Sequence, residues 1–446
     1  MVHFIHNSPS FLFRQIINSL TIDVYDNYDY SFRSSIPPLL AILIAFAWAL
    51  YILAYPPPDS LYRKLCLVAL GVPTAYAFAR QNDVSPSYAV NDTFGRFVYI
   101  WFAVMSYEVT VLEYTPVITK ENDGWKSRLK EAYKMLFCRA PSEQIVPDER
   151  TGQARITHTP RHDHSRARFL AVHAWKLSYL YLLQNIWHVF TSHCIYPNHA
   201  IHGSPYASFF RRLPESLEVG EIWTRIDVTM QWCVINMFLY EAHHSLFAII
   251  FVGLHLDAPY EWSMTLFGPL STAWSVRRYW GKHWHNFVYQ SFSGHVKVVT
   301  RQWLKLPRCT LKRLLENTLV FGASGLAHSA VRWAQDPDGG DYWVITFWYV
   351  GQMVPIIIEG VVQDAWKQKK KKLGIDSEGW IEDGKWLSWA ERALGYVWVL
   401  GWNMWSIPKY VHTREEWADA AMRGRYRVEE KIYQEPIVRT EVDREL

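Results

Sequence analysis

The sequence predicts an all-α, polytopic membrane protein with about eight transmembrane helices that enclose an internal chamber. Apolar residues make up 50% of the 446 residues, but they are clustered in runs of membrane length, and clustering is the stronger signal. Residues 36–55 carry no charged side chain, and a run of about 20 such residues crosses the hydrocarbon core. Many of the 23 Trp and 26 Tyr residues flank the runs, as expected of rings that favour the membrane interface.

The predicted spans follow one another along the whole chain. In order they cover residues 36–55, 61–79, 94–114, 169–190, 226–254, 314–333, 342–362 and 387–407. The third span contains Glu108 and Glu113, so it is expected to face protein rather than lipid. Residues 255–310 are broken by proline and glycine and carry much charge, which predicts an interfacial or re-entrant region.

We expect a single membrane-embedded domain over residues 1–446. Residues 115–168 form a polar, basic loop with a short amphipathic helix near 125–138, residues 259–329 contain the signature motifs described below, and residues 408–446 form a charged tail. The lysine run at 367–372 and the basic loop are both expected on the cytoplasmic side, because cytoplasmic loops are rich in Lys and Arg. The amino terminus is then lumenal, in an internal membrane such as the endoplasmic reticulum.

Charge and cysteine content exclude several other classes. The net charge of +4 is too small to indicate a nucleic-acid partner. The five cysteines are widely spaced and form no CxxC motif, so they indicate neither a disulfide framework nor a zinc cluster. No metal is expected.

His328 lies within a predicted span, where an imidazole is costly unless it has a partner or a task. It follows the small residues Gly322, Ala323, Ser324, Gly325 and Ala327, which allow close helix approach. A neutral imidazole in such a narrow site can accept a proton from a hydroxyl. The alternative is a buried histidine bonded to a backbone carbonyl.

A second histidine-bearing segment reads Ser275-Val276-Arg277-Arg278-Tyr279-Trp280-Gly281-Lys282-His283-Trp284-His285-Asn286. On a helix, Trp280 and Trp284 share one face and are predicted to wall a pocket. His285 or Asn286 is predicted to donate a hydrogen bond that stabilises an oxyanion, while His283 is expected on a different face. The alternative is an aromatic belt at the membrane interface.

These two motifs, S-x-x-x-[FY]-W-G-x-x-W-[HN] followed by S-G-L-x-H, resemble the wax synthase branch of the membrane-bound O-acyltransferases, and in particular its fungal natural-product members. The resemblance implies a catalytic chamber, an acyl-CoA co-substrate, an apolar alcohol acceptor and a catalytic histidine at His328. It places the second functional position of the superfamily at His285, with Asn286 as the alternative. No bound cofactor is implied.

The resemblance predicts an O-acyltransferase that moves an acyl group, acetyl in preference, from CoA to a hydroxyl of a molecule such as a terpenoid. Arg277, Arg278 and Lys282 are expected to pair with the CoA phosphates at the cytoplasmic mouth. Membrane lipids are the remaining partners. A long-chain wax-ester synthase acting on fatty alcohols is the nearest alternative.

The residues alone allow three other interpretations of the function. His158, His162 and His164, together with Glu241, His243 and His244, allow a His-box di-iron hydroxylase or desaturase, since imidazole suits iron. A transporter or lipid-binding scaffold would show paired, interrupted helices in two matching halves, and none are visible. The acidic run Asp336–Asp341 indicates a turn more readily than a diphosphate site, because it contains proline and glycine.

Overall fold

A computed structural model describes residues 25–27, 30–115, 124–137, 143–147, 154–158, 165–195, 219–262, 265–284, 286–337, 342–373 and 383–428. The described chain is a bundle of helices with two small two-stranded ribbons. The all-helical class predicted for the membrane region is therefore confirmed.

The amino-terminal part of the bundle contains four helices. They are α1 (Phe32–Ala54), α2 (Leu61–Ala79), α3 (Tyr88–Thr110) and α4 (Trp125–Leu136). Ser31 and Ser60 cap α1 and α2, because their side chains accept hydrogen bonds from the first helical N–H groups. The four helices share one hydrophobic core.

The middle of the chain forms a second group of helices. These are α5 (Arg166–Phe190), α6 (Val219–Met230) and α7 (Asn236–Gly253), with a π-helical turn at Gln231–Ile235 that joins α6 to α7. α5 packs along α7. Arg166 donates a hydrogen bond to the Val252 carbonyl, 3.1 Å away, so the start of α5 and the end of α7 lie on the same side.

The carboxy-terminal part begins with an irregular segment, as predicted for residues 255–310. It contains short turns at Pro259–Trp262 and Leu270–Thr272, helix α8 (Val276–Arg278), a π-helical turn at Tyr279–His283, helix α9 (Asn286–Lys297) and a second π-helical turn at Val298–Trp303. Four helices follow: α10 (Thr310–Gln335), α11 (Trp343–Gly351), α12 (Met353–Lys372) and α13 (Asp383–Arg425). A second hydrophobic core joins α6, the turn at 279–283 and α11–α13.

Two antiparallel ribbons complete the described chain. β1 (Tyr25–Asn27) pairs with β4 (Tyr426–Val428), with Asp26 opposite Arg427. β2 (Glu143–Pro147) pairs with β3 (Ala154–His158) inside the predicted polar loop, where the sequence had indicated only the helix now seen as α4. The first ribbon brings the segments that flank the first and last helices together, so both lie on one side of the bundle.

Three helices in the described residues are long and apolar enough to cross a membrane by length and composition. They are Phe32–Ala54, Val219–Gly253 and Trp343–Lys372. The predicted total of about eight spans is therefore not confirmed by composition. The other long helices carry more charge, such as the ion pair of Arg96 with Asp92 on α3, and such charges lower their hydropathy.

The third predicted span requires a correction at its end. α3 ends at Thr110, and Glu113 follows with a φ of 49°, so the chain leaves the helix before this residue. Glu108 is buried as predicted, whereas Glu113 is exposed. Only Glu108 of the two carboxylates faces protein.

Small residues on α10 allow α11 to approach closely, and the contact is centred on Gly325. A Cβ built at Gly325 would lie 2.7 Å from Cα of Thr346, whereas one built at Gly322 would meet nothing nearer than Cγ2 of Val350, at 3.9 Å. Ser329 reinforces the contact, since its hydroxyl lies 2.7 Å from both the Tyr342 carbonyl and the Thr346 hydroxyl. Gly325 and Ser329 therefore fix how α10 is rotated against α11.

We expect Gly325→Ala to lower the free energy of unfolding by about 1–3 kcal/mol, because the added methyl group must displace backbone atoms of α11. Gly322→Ala is the matched control on the same helix, and it should be neutral or stabilising by up to about 1 kcal/mol, since alanine favours the helix. Thermal unfolding of the purified protein in detergent measures both. Equal losses in the two variants would contradict the tight contact at Gly325.

Candidate active site

A cavity of about 770 Å³ lies at the centre of the bundle. Its walls come from α3, α5, the α6–α7 pair, the segment 277–284, α9, α10, α11, α12 and α13. This volume is in the range of pockets that bind drug-sized molecules. The residues predicted for catalysis and binding can be placed relative to this cavity.

His328 lines the cavity from α10. Asn317, Phe321, Ser324, His328 and Arg332 all line it and follow each other at spacings of three or four residues, so they form one face of the helix. The His328 ring stacks on Tyr349 of α11, with ring centroids 4.8 Å apart and planes at 12°. The contact between α10 and α11 therefore holds the imidazole at the cavity wall.

The tryptophans of the signature segment also line the cavity, but not as neighbours on one α-helix. Residues 279–283 form a π-helical turn, and Trp284 is extended, with a ψ of 121°. The N–H of Trp284 donates to the Tyr279 carbonyl five residues earlier. The predicted i,i+4 helical geometry was wrong. Both rings line the cavity, and the binding role predicted for them stays a prediction.

The aromatic wall is built from several elements. Trp284 stacks on Trp232 of the α6–α7 π-helical turn, with centroids 4.7 Å apart and planes at 10°. Trp280 meets Phe321 of α10 edge-on at 5.5 Å. π-helical turns occur often at functional sites, and the two turns here bring Trp232 and Trp280 together at the cavity, with ring centroids 5.7 Å apart.

His283 braces the signature segment and does not line the cavity. Its Nδ1 donates to the Gly268 carbonyl over 2.6 Å, and the N–H of Gly268 donates to the His283 carbonyl over 2.9 Å. A Cβ at Gly268 would overlap the Lys282 carbonyl oxygen, so this position requires glycine. Burial lowers the pKa of His283, and the Gly268 carbonyl offsets this in part. His283 is therefore a structural residue, which agrees with its omission from the predicted site.

Glu359 of α12 holds the start of the signature segment. Its carboxylate accepts hydrogen bonds from the backbone N–H groups of Val276 and Arg277 and from the Trp398 indole. Unsatisfied N–H groups at a helix start favour a negative charge. Glu359 was not among the predicted site residues, although a lone carboxylate in a predicted span is a signal that could have identified it.

Three cations of the signature segment line the cavity. Arg277 and Lys282 are exposed, as expected at a cavity mouth. Arg278 is partly engaged elsewhere, because its Nε donates to the Thr272 carbonyl over 3.0 Å and its guanidinium lies 4.5 Å from the Trp274 ring centroid. Arg277 and Lys282 are therefore better placed than Arg278 to meet an anionic ligand.

A second charged group at the cavity was not predicted. Asp92 and Arg96 of α3 form an ion pair at 2.6 Å, and Arg332 of α10 lies 3.6 Å from the same carboxylate. Gln335 also donates to Asp92 over 3.3 Å. Polar residues within spans are a known signal of function, but the sequence did not show that α3 and α10 bring theirs together.

Several predicted residues fall outside the described part of the chain. His285 is one, and Asn286 is described only as the first residue of α9, without its side chain. His162 and His164 are also outside, and His158 is described only as part of β3. The roles predicted for His285 and Asn286 therefore stay predictions.

The remaining histidine group does not form a described metal centre. Glu241 pairs with Lys176 of α5, and Nδ1 of His243 bonds its own helix at the Leu239 carbonyl. Among the residues that the structure describes, no three His, Cys, Asp or Glu side chains are grouped as a metal ion requires.

The chain is similar to known proteins in the region that forms this site. The model of the membrane bound O-acyl transferase family matches residues 262–350, which contain Trp280, Trp284 and His328. No solved structure matches the chain.

Three curated relatives are fungal proteins named as acetyltransferases. The chain is 29% identical to the acetyltransferase nanB of Aspergillus nanangensis over 187 residues, and this match covers 42% of each protein. It is 28% identical over 267 residues to the acetyltransferase fsoF of Humicola fuscoatra, covering 57% of this chain and 60% of that protein. It is 28% identical over 212 residues to the acetyltransferase ataH of Aspergillus terreus, covering 46% and 64%.

The chain thus spans about two fifths to two thirds of the length of these relatives. The resemblance stated from the two motifs is confirmed: residues 262–350 match the membrane bound O-acyl transferase family, and the chain is similar to fungal acetyltransferases.

Proposed function

We propose that the protein transfers an acyl group, acetyl in preference, from acyl-CoA to a hydroxyl of an apolar small molecule such as a terpenoid. One observation carries the proposal: the His328 imidazole lines the same cavity as the cations Arg277 and Lys282. A base and an anion-binding mouth on one chamber fit a polar thioester donor that meets an apolar acceptor. The acetyltransferase names of the relatives favour a short acyl group.

In the proposed reaction, the acceptor hydroxyl oxygen attacks the thioester carbonyl carbon while His328 takes the hydroxyl proton. A donor from His285 or Asn286 stabilises the negative charge on the carbonyl oxygen. The C–S bond then breaks, the ester leaves, and the proton on His328 neutralises the CoA thiolate. The steps balance without a metal or a bound cofactor.

The aromatic wall has a clear task in this scheme. Trp280 and Trp284 close the chamber beside the signature segment, where the pantetheine arm would pass between the mouth and His328. An apolar, water-poor passage strengthens hydrogen bonds to the reacting groups. It also limits hydrolysis of the thioester.

The arrangement of the helices supports a membrane protein with an even number of crossings. Eight helical units of at least 19 residues lie in the described chain, if α6–α7 and α11–α12 are each taken as one unit. The β1–β4 ribbon keeps the two ends of this series on one side. We infer that all eight cross the membrane, with the amino-terminal side in the lumen of the endoplasmic reticulum.

The direct test is to incubate membranes that contain the full chain with labelled acetyl-CoA or palmitoyl-CoA and a panel of alcohols, and to analyse the products by mass spectrometry. We expect acetyl esters of apolar cyclic alcohols. Esters formed only from palmitoyl-CoA and fatty alcohols would identify a wax-ester synthase instead. Hydroxylated or desaturated products with bound iron would identify a di-iron enzyme.

The cations at the mouth give a prediction about the donor. Arg277→Ala and Lys282→Ala should each raise the KM for acetyl-CoA by about tenfold, the value of one charge-assisted hydrogen bond, and leave the KM for the alcohol nearly unchanged. Raised salt should weaken the effect, because exposed charges are screened. Initial rates at varied concentrations of each substrate measure both constants.

Lys371→Ala is the matched control, since Lys371 is an exposed cation at the end of α12 that does not line the cavity. It should leave both KM values unchanged. Equal increases for donor and acceptor in the mouth variants would contradict a CoA-binding role for Arg277 and Lys282.

A further inference from the structure

Two guanidinium groups share one carboxylate at the cavity wall. Arg96 and Arg332 both approach Asp92, at 2.6 Å and 3.6 Å, and all three residues line the cavity. Charges in apolar surroundings are costly unless they are paired. A site that keeps two cations for one anion is suited to a ligand that supplies a further hydrogen-bond acceptor.

Arg96 is the member of this group that a ligand in the cavity can reach. Asp92 engages one of its terminal nitrogens, while 24% of the side chain stays accessible. Its Nε is buried and has no hydrogen-bond partner within the described residues. The ion pair with Asp92 therefore uses only part of the donor capacity of this guanidinium.

Arg96 also lies close to the proposed base. Three tyrosines, Tyr240, Tyr349 and Tyr410, line the same cavity as Arg96 and His328. Tyr349 is the ring that stacks on His328. A molecule held with its hydroxyl at His328 can therefore extend past Tyr349 toward Arg96.

The order of residues along α10 shows on which side of His328 the arginine pair lies. Arg332 follows His328 by four residues on the same face, which is about 6 Å along the helix axis. Because Asp92 joins Arg332 to Arg96, the basic pair lies about one helical turn beyond His328. On the other side of His328, Phe321 contacts Trp280 of the signature segment, which carries the mouth cations. Arg96 therefore belongs to the acceptor end of the chamber.

We propose that Arg96 is an acceptor-binding residue, which selects alcohols that carry a carbonyl oxygen in addition to the hydroxyl that is acylated. This inference rests on the proposed acyl transfer. A guanidinium carries only hydrogen-bond donors. A carbonyl oxygen of the ligand would accept a hydrogen bond from Arg96, whereas a pure hydrocarbon would bury the guanidinium without an acceptor. A carboxylate would lose more hydration than a carbonyl on its way through the bilayer. Arg332 acts as a support, since it keeps Asp92 paired.

Two pairs of alcohols provide the test, each differing by one ketone. They are borneol with hydroxycamphor, which is compact, and androstanol with epiandrosterone, which is long. Binding is measured as the rise in Tm of the purified full chain in detergent, and transfer as the kcat/KM for acetylation. We expect at least one hydroxyketone to bind and react better than its parent by about tenfold or more, the effect of a hydrogen bond to a charged group.

Arg96→Gln should abolish that preference and leave the KM for acetyl-CoA unchanged. The variant should fold, because Asp92 keeps Arg332 and Gln335 as partners. Arg96→Lys retains the charge and is expected to keep part of the preference. Arg80→Gln is the matched control, since it removes an exposed arginine ion pair with Asp83 outside the cavity.

The outcomes separate this inference from the proposed function. Acetylation of both members of each pair with equal kcat/KM would overturn the role of Arg96, as would a preference for the ketone that survives Arg96→Gln. Either result would leave the proposed acyltransferase activity standing. Equal rises in Tm for both members of each pair would overturn the role of Arg96 as well. Tighter binding of a hydroxyketone that Arg96→Gln removes, with no transfer to any alcohol, would support the contact and reject the transfer reaction.

Discussion

Replacing His328 with alanine should reduce the rate of acyl transfer by roughly 10²–10⁴-fold, the usual contribution of a general base. The physical reason is that the acceptor hydroxyl is a weak nucleophile until a base takes its proton. His328 lines the cavity and is held there by the Tyr349 ring at 4.8 Å. The loss should appear in kcat, whereas the KM for acetyl-CoA should change little.

His243→Ala is the matched control for this substitution. His243 is also a histidine on a long apolar helix, but it is exposed on the outside of the bundle and bonds only its own helix in the described contacts. Its replacement should leave kcat nearly unchanged. Measurement of expression and Tm for both variants separates chemistry from folding. Near-normal turnover in a well-folded His328→Ala protein would reject His328 as the base.

The sequence predicted the elements whose signals are local. The helix expected at residues 61–79 is found as Leu61–Ala79, because the apolar run is visible in the sequence. The amphipathic helix expected near 125–138 is found as Trp125–Leu136. His328, Trp280 and Trp284 were selected from short motifs, and all three line one cavity.

Contacts between distant parts of the chain were not predictable from periodicity. Glu359 holds Val276 from a position 83 residues away in sequence, and Asp92 meets Arg332 across the bundle. A helical pattern shows which residues share a face of one helix, but not which helix that face meets. The sequence could mark such residues as costly within a span, without naming their partners.

The geometry of the signature segment shows a second limit of prediction from the sequence. A regular helix was expected through Trp280 and Trp284, but the N–H of Trp284 bonds the carbonyl five residues earlier. The brace between His283 and Gly268 explains the departure, because it engages the His283 carbonyl and side chain 15 residues away. A tertiary contact here overrides the local helical preference.

The second large effect on kcat is expected from the residue that donates a hydrogen bond to the oxyanion. Removing the side chain that donates to the oxyanion should cost roughly 10²–10³-fold in kcat. His285 and Asn286 directly follow Trp284 in the sequence, and Trp284 lines the cavity. Only one of them should give this loss, because the side chains of successive residues leave a helix or a strand in different directions.

We therefore expect His285→Ala and Asn286→Ala to differ by at least tenfold in kcat, and the larger loss identifies the donor. A variant that keeps a donor at that position, His285→Asn or Asn286→His, should recover part of the rate, whereas leucine should not. The other histidine of the segment, His283, is the structural comparison: its alanine variant should lower Tm through loss of the bond to Gly268. If His285→Ala and Asn286→Ala both retain near-normal kcat, the oxyanion must be stabilised from another wall of the cavity. The polar side chains of Asn317 and Ser324, on the same face of α10 as His328, would then be the groups to replace.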